Sequence, residues 1–362
     1  MFSILLALAQ VATPSMGWGG GTTPVPKRSW PTREQDVVLA NFHFRDGEAL
    51  PEVKMHVTLL GNPHRNAAGE IDNGVMVLHG TGGDGKQFLR PQFADELYGP
   101  GQPLDIRKYW IILPDNVGHG KSSKPSDGLR MKFPKYDYYD MVDAQQRMLT
   151  EGLGVRHLRL IMGTSMGCMH SFLWGEMYPD FSSALMPLAC EPIEIGGLNR
   201  MWRQLVIDGI EQDPNWNGGN YVREPRDGLR TAESILFIAG SAPLSLQKQY
   251  PTRVAATEYV RQTVAKGVSG LDANDLIYQF DSSRSYDPWS GLGKIIAPLT
   301  WINSADDFIN PRNLDVSDRA VKRMKNARFR LIPESAETHG HGTHTWAALW
   351  KADLNALLKR SE

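Results

Sequence analysis

The apolar positions of this chain fall into short, unbroken runs separated by segments with helical spacing. Val75-Met76-Val77-Leu78 is one such run, ending at His79-Gly80. A run of this length reads as a buried strand feeding a loop. Tyr109–Leu113, Leu158–Met162, Ala184–Leu188, Leu299–Ile302 and Phe329–Ile332 repeat the pattern. Helical periodicity marks Asp137–Gly152, with Met141, Met148 and Leu149 on one face, and a helix is expected over Cys168–Tyr178. A closing helix is expected over Thr345–Lys359, where Trp346, Leu349, Trp350, Leu354 and Leu357 share a face. Strands that alternate with helices predict an α/β architecture, a mostly parallel sheet covered on both faces. Between Cys190 and about Lys294 the strand signals vanish, and the segment reads as a helical insertion carrying Met201, Trp202, Trp216 and Tyr221. The expected organisation is a leader over 1–30, a core built from 31–190 and 295–362, and a helical lid over 191–294 that shapes a substrate pocket.

One strand runs straight into a motif. Gly163-Thr164-Ser165-Met166-Gly167 follows Leu158–Met162 and precedes a helix. Gly-x-Ser-x-Gly in a strand-to-helix turn is the nucleophile elbow of the α/β-hydrolase fold. The turn is so tight that side chains at the flanking positions would clash, and it leaves the Ser165 hydroxyl standing free. The Met166 N–H then faces the charge that develops on an attacked carbonyl. A serine hydroxyl is a poor nucleophile until a base takes its proton. In this fold the order along the chain is serine, then acid, then histidine.

Both partners are present in that order. The acid lies in Ser304-Ala305-Asp306-Asp307-Phe308-Ile309-Asn310-Pro311, after the strand at Leu299–Ile302. Asp307 is preferred because it opens the loop that Pro311 closes; Asp306 is the alternative. The base lies in His339-Gly340-His341-Gly342-Thr343-His344. His341, flanked by glycines, is preferred, with His344 as runner-up. Three close histidines also raise a metal site, but no HExxH or cysteine pairing accompanies them, so no metal is expected. The second oxyanion donor is expected from the loop after Val75–Leu78, His79-Gly80-Thr81-Gly82-Gly83, at the Thr81 N–H. Two glycine-rich stretches mimic nucleotide sites and fail. Gly80–Gly85 matches GxGxxG, yet Asp115 lies beyond the usual spacing and Pro91 interrupts the helix. Gly118-His119-Gly120-Lys121-Ser122 lacks the first P-loop glycine, since Asp115 stands there.

Composition narrows the partners. Hydrophobic residues make up 41% and charged residues 22% of the 362 residues, and 39 Lys plus Arg against 40 Asp plus Glu leave a formal charge of −1. No basic face for nucleic acid follows from this balance, and no charge run suggests a membrane-surface stripe. The two cysteines, Cys168 and Cys190, are expected as buried thiols rather than a bridge. Phe2–Ala12 has the length of a signal-peptide apolar region, with Ala7, Ala9 and Ala12 near a cleavage position, but no Lys or Arg precedes Lys27. Export and cytoplasmic residence therefore both stay open. The run is too short to span a bilayer.

Over most of its length from about Phe44, the chain resembles the homoserine O-acetyltransferase family of α/β-hydrolases. The resemblance rests on Asp72-Asn73-Gly74-Val75, Gly163–Met169, Asp213-Pro214-Asn215-Trp216 with Gly218-Gly219-Asn220-Tyr221, Asp272-Ala273-Asn274 with Tyr278, Asp307–Pro311 and Gly340-His341. The family usually has glycine where Cys168 stands. It implies no cofactor and makes a homodimer a candidate assembly. Transferases of this kind carry an arginine shortly before the Asp-Pro, which holds the amino-acid acceptor. Aligning on Asp213-Pro214 puts Ile207 there, with Arg203 near enough to substitute, and the family's Thr-Tyr motif is replaced around Gly240-Ser241-Ala242-Pro243. The expected activity is therefore hydrolysis of a small carboxylic ester through Ser165, Asp307 and His341, with Thr81 and Met166 as oxyanion donors. An O-acyltransferase and a non-catalytic binding module on the same fold are the alternatives.

Overall fold

The structure is a computed structural model and describes residues 28–362. The expected leader over 1–30 therefore lies almost wholly outside the described residues. Eight strands form one sheet: β1 (Arg33–His43), β2 (Ala49–Leu60), β3 (Gly74–Leu78), β4 (Trp110–Pro114), β5 (Leu160–Thr164), β6 (Leu185–Leu188), β7 (Leu299–Ser304) and β8 (Ala327–Ile332). Their spatial order is β1-β2-β4-β3-β5-β6-β7-β8. The pairs from β4 through β3, β5, β6 and β7 to β8 are parallel, while β2 is antiparallel to both β1 and β4. β3, β4, β5 and β6 are buried at every position, as strands covered on both faces must be.

The helices are α1 (Pro91–Leu97), α2 (Tyr138–Arg147), α3 (Met166–Met177), α4 (Gly197–Glu211), α5 (Arg226–Ala239), α6 (Pro243–Gln249), α7 (Arg253–Gly267), α8 (Ala273–Asp281), α9 (Val316–Val321) and α10 (Lys351–Arg360). Asp137 caps α2 and forms a capping box with Asp140, and a π-helical turn over Met148–Gly152 ends that segment. The five helices α4 to α8 all fall between β6 and β7, and Trp202, Val206, Ile207, Ile210, Leu229 and Phe280 give them an apolar core of their own.

Three expectations need correction. No strand was expected before Val75, yet β1 and β2 precede it. In β1 only Val37, Leu39 and Phe42 turn inward, and exposed charged residues fill much of the rest, so no unbroken apolar run announces it. An edge strand is commonly protected by such charges. The closing helix starts at Lys351 rather than Thr345, because Gly340–Thr345 and Ala347–Leu349 form 3-10 turns. The Trp350 indole donates to the His344 carbonyl at 3.1 Å, and Trp346 stacks on His339 with centroids 4.0 Å apart. These contacts hold the backbone in tight turns where helical periodicity alone suggested a regular helix.

The third correction concerns the cysteines, which form a disulfide between Cys168 on α3 and Cys190 beyond β6. Because β5 pairs with β6, the helix that leaves β5 starts beside the end of β6, and Cys168 meets Cys190 there. The bridge closes a separation of 22 residues, for which chain entropy gives about 3 kcal/mol. A Cys168→Ser/Cys190→Ser double variant is expected to lose about that much stability in denaturant titration. Thiol titration of the unfolded, unreduced protein should find no free thiol; two free thiols would contradict the bridge.

Candidate active site

The site is built where the parallel strands end. β5 passes into α3 through Gly163, Ser165 and Gly167, and the packing there leaves no room for side chains. A Cβ on Gly163 would lie 2.1 Å from the Gly167 carbonyl oxygen, and one on Gly167 would lie 2.1 Å from the Leu78 carbonyl oxygen of β3. Ser165 absorbs the turn with φ 55° and ψ −112°, a conformation that costs a non-glycine residue about 1–3 kcal/mol. It is only 8% exposed, and its hydroxyl oxygen lies 2.8 Å from His341 Nε2. On the other side of the ring, His341 Nδ1 lies 2.8 Å from Asp307 Oδ2. Ser165, His341 and Asp307, assigned from three separate parts of the sequence, thus form one hydrogen-bonded line.

Asp307 is fully buried. Burial would raise its pKa, but the His341 charge and hydrogen bonds from His341, Asn310 and Ile309 outweigh it and hold the carboxyl below its ordinary range. Asp307 Oδ1 accepts the Ile309 N–H at 2.8 Å, and the Asn310 side chain donates to Oδ2 at 2.9 Å. A carboxylate held ionised against an imidazole Nδ1–H leaves Nε2 free to accept a proton from a hydroxyl. That arrangement can generate a serine nucleophile.

The runner-up residues lie beside this line and hold its backbone. Asp306 accepts the Gly340 N–H at 2.9 Å and a hydrogen bond from the Ser304 hydroxyl. His344 donates from Nδ1 to the His341 carbonyl. Burial, reinforced by His341, lowers the His344 pKa to about 3, so its ring is neutral. His339 stacks on Trp346, so the three histidines face different partners. Among the described residues no group of three or more His, Cys, Asp or Glu could hold a metal ion.

The loop after β3 abuts Ser165: a Cβ on Gly80 would come 3.3 Å from Ser165 Cβ. Thr81 is buried beside it, and Met166 opens α3 directly after the serine. Asp115 of the discarded dinucleotide motif accepts the Gly85 N–H at 2.9 Å and the Lys121 N–H at 2.8 Å, one on each oxygen. It therefore serves the loop backbone. Across the site, Gly340 has φ 56° and a Cβ there would approach the Ser241 carbonyl oxygen to 2.8 Å. The segment between α5 and α6 thus packs against the histidine loop. A cavity of about 890 Å³ opens between that segment and the acid loop, lined by Phe237, Leu246, Asp307 and Arg312 among others. It reaches the acid end of the line; neither Ser165 nor His341 lines it.

The alignment that put Ile207 in the place of an acceptor-binding arginine looks different in three dimensions. Arg203 and Ile207 lie one turn apart on α4, and both are buried. Ile207 belongs to the apolar core of the insertion. The Arg203 guanidinium donates to Asn199 Oδ1 at 2.9 Å and Ser283 Oγ at 3.3 Å, and lies over the Trp202 ring at 4.8 Å. Burial lowers its pKa, and among the described residues no carboxylate pairs with it.

Residues 74–338 match the family described as the alpha/beta hydrolase fold. The chain belongs to this family. Within it the protein is homoserine O-acetyltransferase-like. It is 30% identical over 310 residues to the homoserine O-acetyltransferase of Moorella thermoacetica, covering 74% of this chain and 80% of that one. Its fold is similar to the crystal structure of homoserine O-acetyltransferase from Bacillus anthracis, with TM-score 0.80, 21% identity, 91% of this chain and 98% of that one. It is also similar to an acetylester hydrolase from Corynebacterium glutamicum, with TM-score 0.77, 19% identity and coverage of 90% and 96%. This α/β-hydrolase is therefore an enzyme of the esterase or acyltransferase kind.

Asn310 and Glu191 escaped the sequence reading. The signal for Asn310 was the short Asp-x-x-Asn spacing, in which an aspartate binds backbone N–H groups just ahead of it. Glu191 follows Cys190 and accepts from Asn303 Nδ2 at 3.0 Å, and its Oε2 is buried with no partner among the described residues. Burial, together with the Asp307 charge, raises its pKa to about 8. A folded-state pKa above the unfolded one means that stability present at low pH is lost as pH climbs from about 4.5 toward 8. Glu191→Gln, which mimics the protonated form, should raise the thermal midpoint more at pH 8 than at pH 5. Equal shifts at both would show that Glu191 does not hold its proton.

Proposed function

We propose that this α/β-hydrolase cleaves a small carboxylic ester through an acyl-enzyme on Ser165, with water as the acyl acceptor. The observation that carries the reading is the unbroken line from Ser165 Oγ through the His341 ring to Asp307. Ser165 attacks the ester carbonyl carbon while His341 Nε2 takes the hydroxyl proton. Asp307 holds the imidazole in the tautomer whose Nε2 accepts, and stabilises the imidazolium that forms. The negative oxygen is met by the N–H groups of Met166 and Thr81. As the carbonyl re-forms, the alcohol leaves with the proton from His341. A water then gives its proton to Nε2 and attacks the acyl carbon, and Ser165 leaves by the reverse of its entry. The low exposure of Ser165, with Gly80 pressed against it, supports a small acyl group. No cofactor enters any step.

A second reading is favoured by Arg203. A buried guanidinium with only neutral hydrogen-bond partners suits a carboxylate, which it would bind bidentately. In that reading the hydroxyl of a small carboxylate-bearing acceptor takes the place of water.

Turnover of p-nitrophenyl acetate with and without L-homoserine, the products identified by mass, separates the two. Free acetate in both cases is the expected result. O-acetylhomoserine formed at the expense of acetate would transfer the assignment to the second reading. Ser165→Ala should lower kcat by several orders of magnitude. Intact activity in that variant would overturn the serine mechanism, whereas a parent protein that neither turns over the ester nor reacts with a fluorophosphonate would be left as a binding module on the same fold.

A further inference from the structure

Behind the oxyanion loop lies a line of side chains that none of the acyl-transfer steps uses. His79, Asn116, Gln145 and His170 are wholly buried. Four separate segments supply them: the end of β3, the loop after β4, α2 and α3. A buried polar group left unpaired costs about 1–3 kcal/mol, and among the described residues only His170 Nε2 of these four side chains lacks a hydrogen-bond partner.

One end fixes the direction of the hydrogen bonds. Trp174, on α3, carries an indole N–H that can only donate. It donates to Gln145 Oε1 at 2.6 Å. The Gln145 nitrogen must then be the donor, and it reaches Asn116 Oδ1 at 2.5 Å and His170 Nδ1 at 3.1 Å. With Asn116 Oδ1 accepting, its Nδ2 donates. Both that nitrogen, at 3.1 Å, and the Asn116 backbone N–H, at 3.0 Å, face His79 Nε2. Two donors at Nε2 leave the proton of the ring on Nδ1, and burial lowers the His79 pKa so that the ring is neutral. The Nδ1–H donates to the Gly80 carbonyl oxygen at 2.8 Å.

That oxygen and the Thr81 N–H belong to one peptide group. No cis peptide bond occurs among the described residues, and in a planar trans peptide the C=O and N–H point in opposite directions. Fixing the oxygen fixes the amide. Gly80 itself lies against the nucleophile, its Cβ position 3.8 Å from Ser165 Oγ.

We infer that His79, held in one tautomer by Asn116 and Gln145, aims the Thr81 N–H at the developing oxyanion. It is a positioning residue and touches no substrate. The same line is anchored at Trp174 on α3, the helix that begins with Met166, so both oxyanion amides are tied to one buried scaffold. The inference rests on the reading of Ser165 as an acylated nucleophile served by the Thr81 amide.

An amide turned out of line stabilises the transition state less while leaving ester binding nearly intact, so the loss falls on kcat rather than KM. His79→Ala is expected to lower kcat on p-nitrophenyl acetate about 10- to 100-fold with little change in KM. His79→Asn keeps a donor where Nδ1 stands and should recover most of that loss. A matched thionoester adds a readout that a merely structural role would not move. Sulfur accepts hydrogen bonds weakly, so the preference for ester over thionoester should narrow in His79→Ala. Gln145→Leu, which removes the link that orients Asn116, should show the same narrowing to a smaller degree and carries the test if His79→Ala does not fold. A folded His79→Ala or Gln145→Leu protein with the parent's kcat and ester preference overturns the inference, as does His79→Asn impaired as deeply as His79→Ala. Failure of the underlying reading looks different: Ser165→Ala would then keep its turnover, and the parent protein would not react with a fluorophosphonate.

Discussion

Everything at this site depends on how closely three backbone segments approach at the elbow. Gly167 lies against the Leu78 carbonyl and Gly163 against the Gly167 carbonyl, each at a distance that no Cβ tolerates. Ser165 is forced to a positive φ. That strain is held by what surrounds it: the Ser165 N–H donates to the Leu188 carbonyl at 2.9 Å, and β5 lies between β3 and β6. The serine therefore stands at one fixed point at the end of the parallel strands, and the acid and histidine loops leave β7 and β8 at the same end of the sheet. A sheet of fixed register turns three distant stretches of sequence into one line of hydrogen bonds.

Around that line, the residues with the most obvious chemistry are held by others that do none. Asp306 and His344 are each one or three residues from the preferred partner and equally able to ionise as free side chains. Their environments separate them. Asp306 is occupied by the Gly340 N–H and the Ser304 hydroxyl, and His344 by the His341 carbonyl. The disulfide ties the first turn of α3 to the end of β6, and the buried line from Trp174 to His79 ties that helix to the loop after β3. The site is thus rigid through its neighbours more than through its own contacts.

Much of this was legible in the sequence, and the reasons differ by element. Buried parallel strands leave unbroken apolar runs, so β3 to β8 could be located within a few residues. The Gly-x-Ser-x-Gly turn demands its glycines sterically, and the chain order of serine, acid and histidine followed from the fold. β1 was missed because exposed charged residues hide a strand that faces water on one side, and β2 because polar residues such as Lys54, His56 and Thr58 interrupt its apolar positions even where the strand is buried. The disulfide was missed because two cysteines were weighed by their number, while what joins them is the pairing of β5 with β6. The turns before α10 were missed because the tryptophans at helical spacing bind the histidine loop. The hydrogen-bond line behind His79 had no signature, since its members come from four segments with no common spacing.

Ester cleavage by this route requires the Ser165 oxygen to become covalently acylated. Rapid acid quench of the enzyme turning over p-nitrophenyl acetate, followed by peptide mass analysis, tests it most directly. An added acetyl group is expected on the peptide that carries Ser165, absent from the Ser165→Ala protein and decaying as free acetate appears. An acetyl group on another residue, or turnover with no acetylated peptide at any quench time, would contradict it.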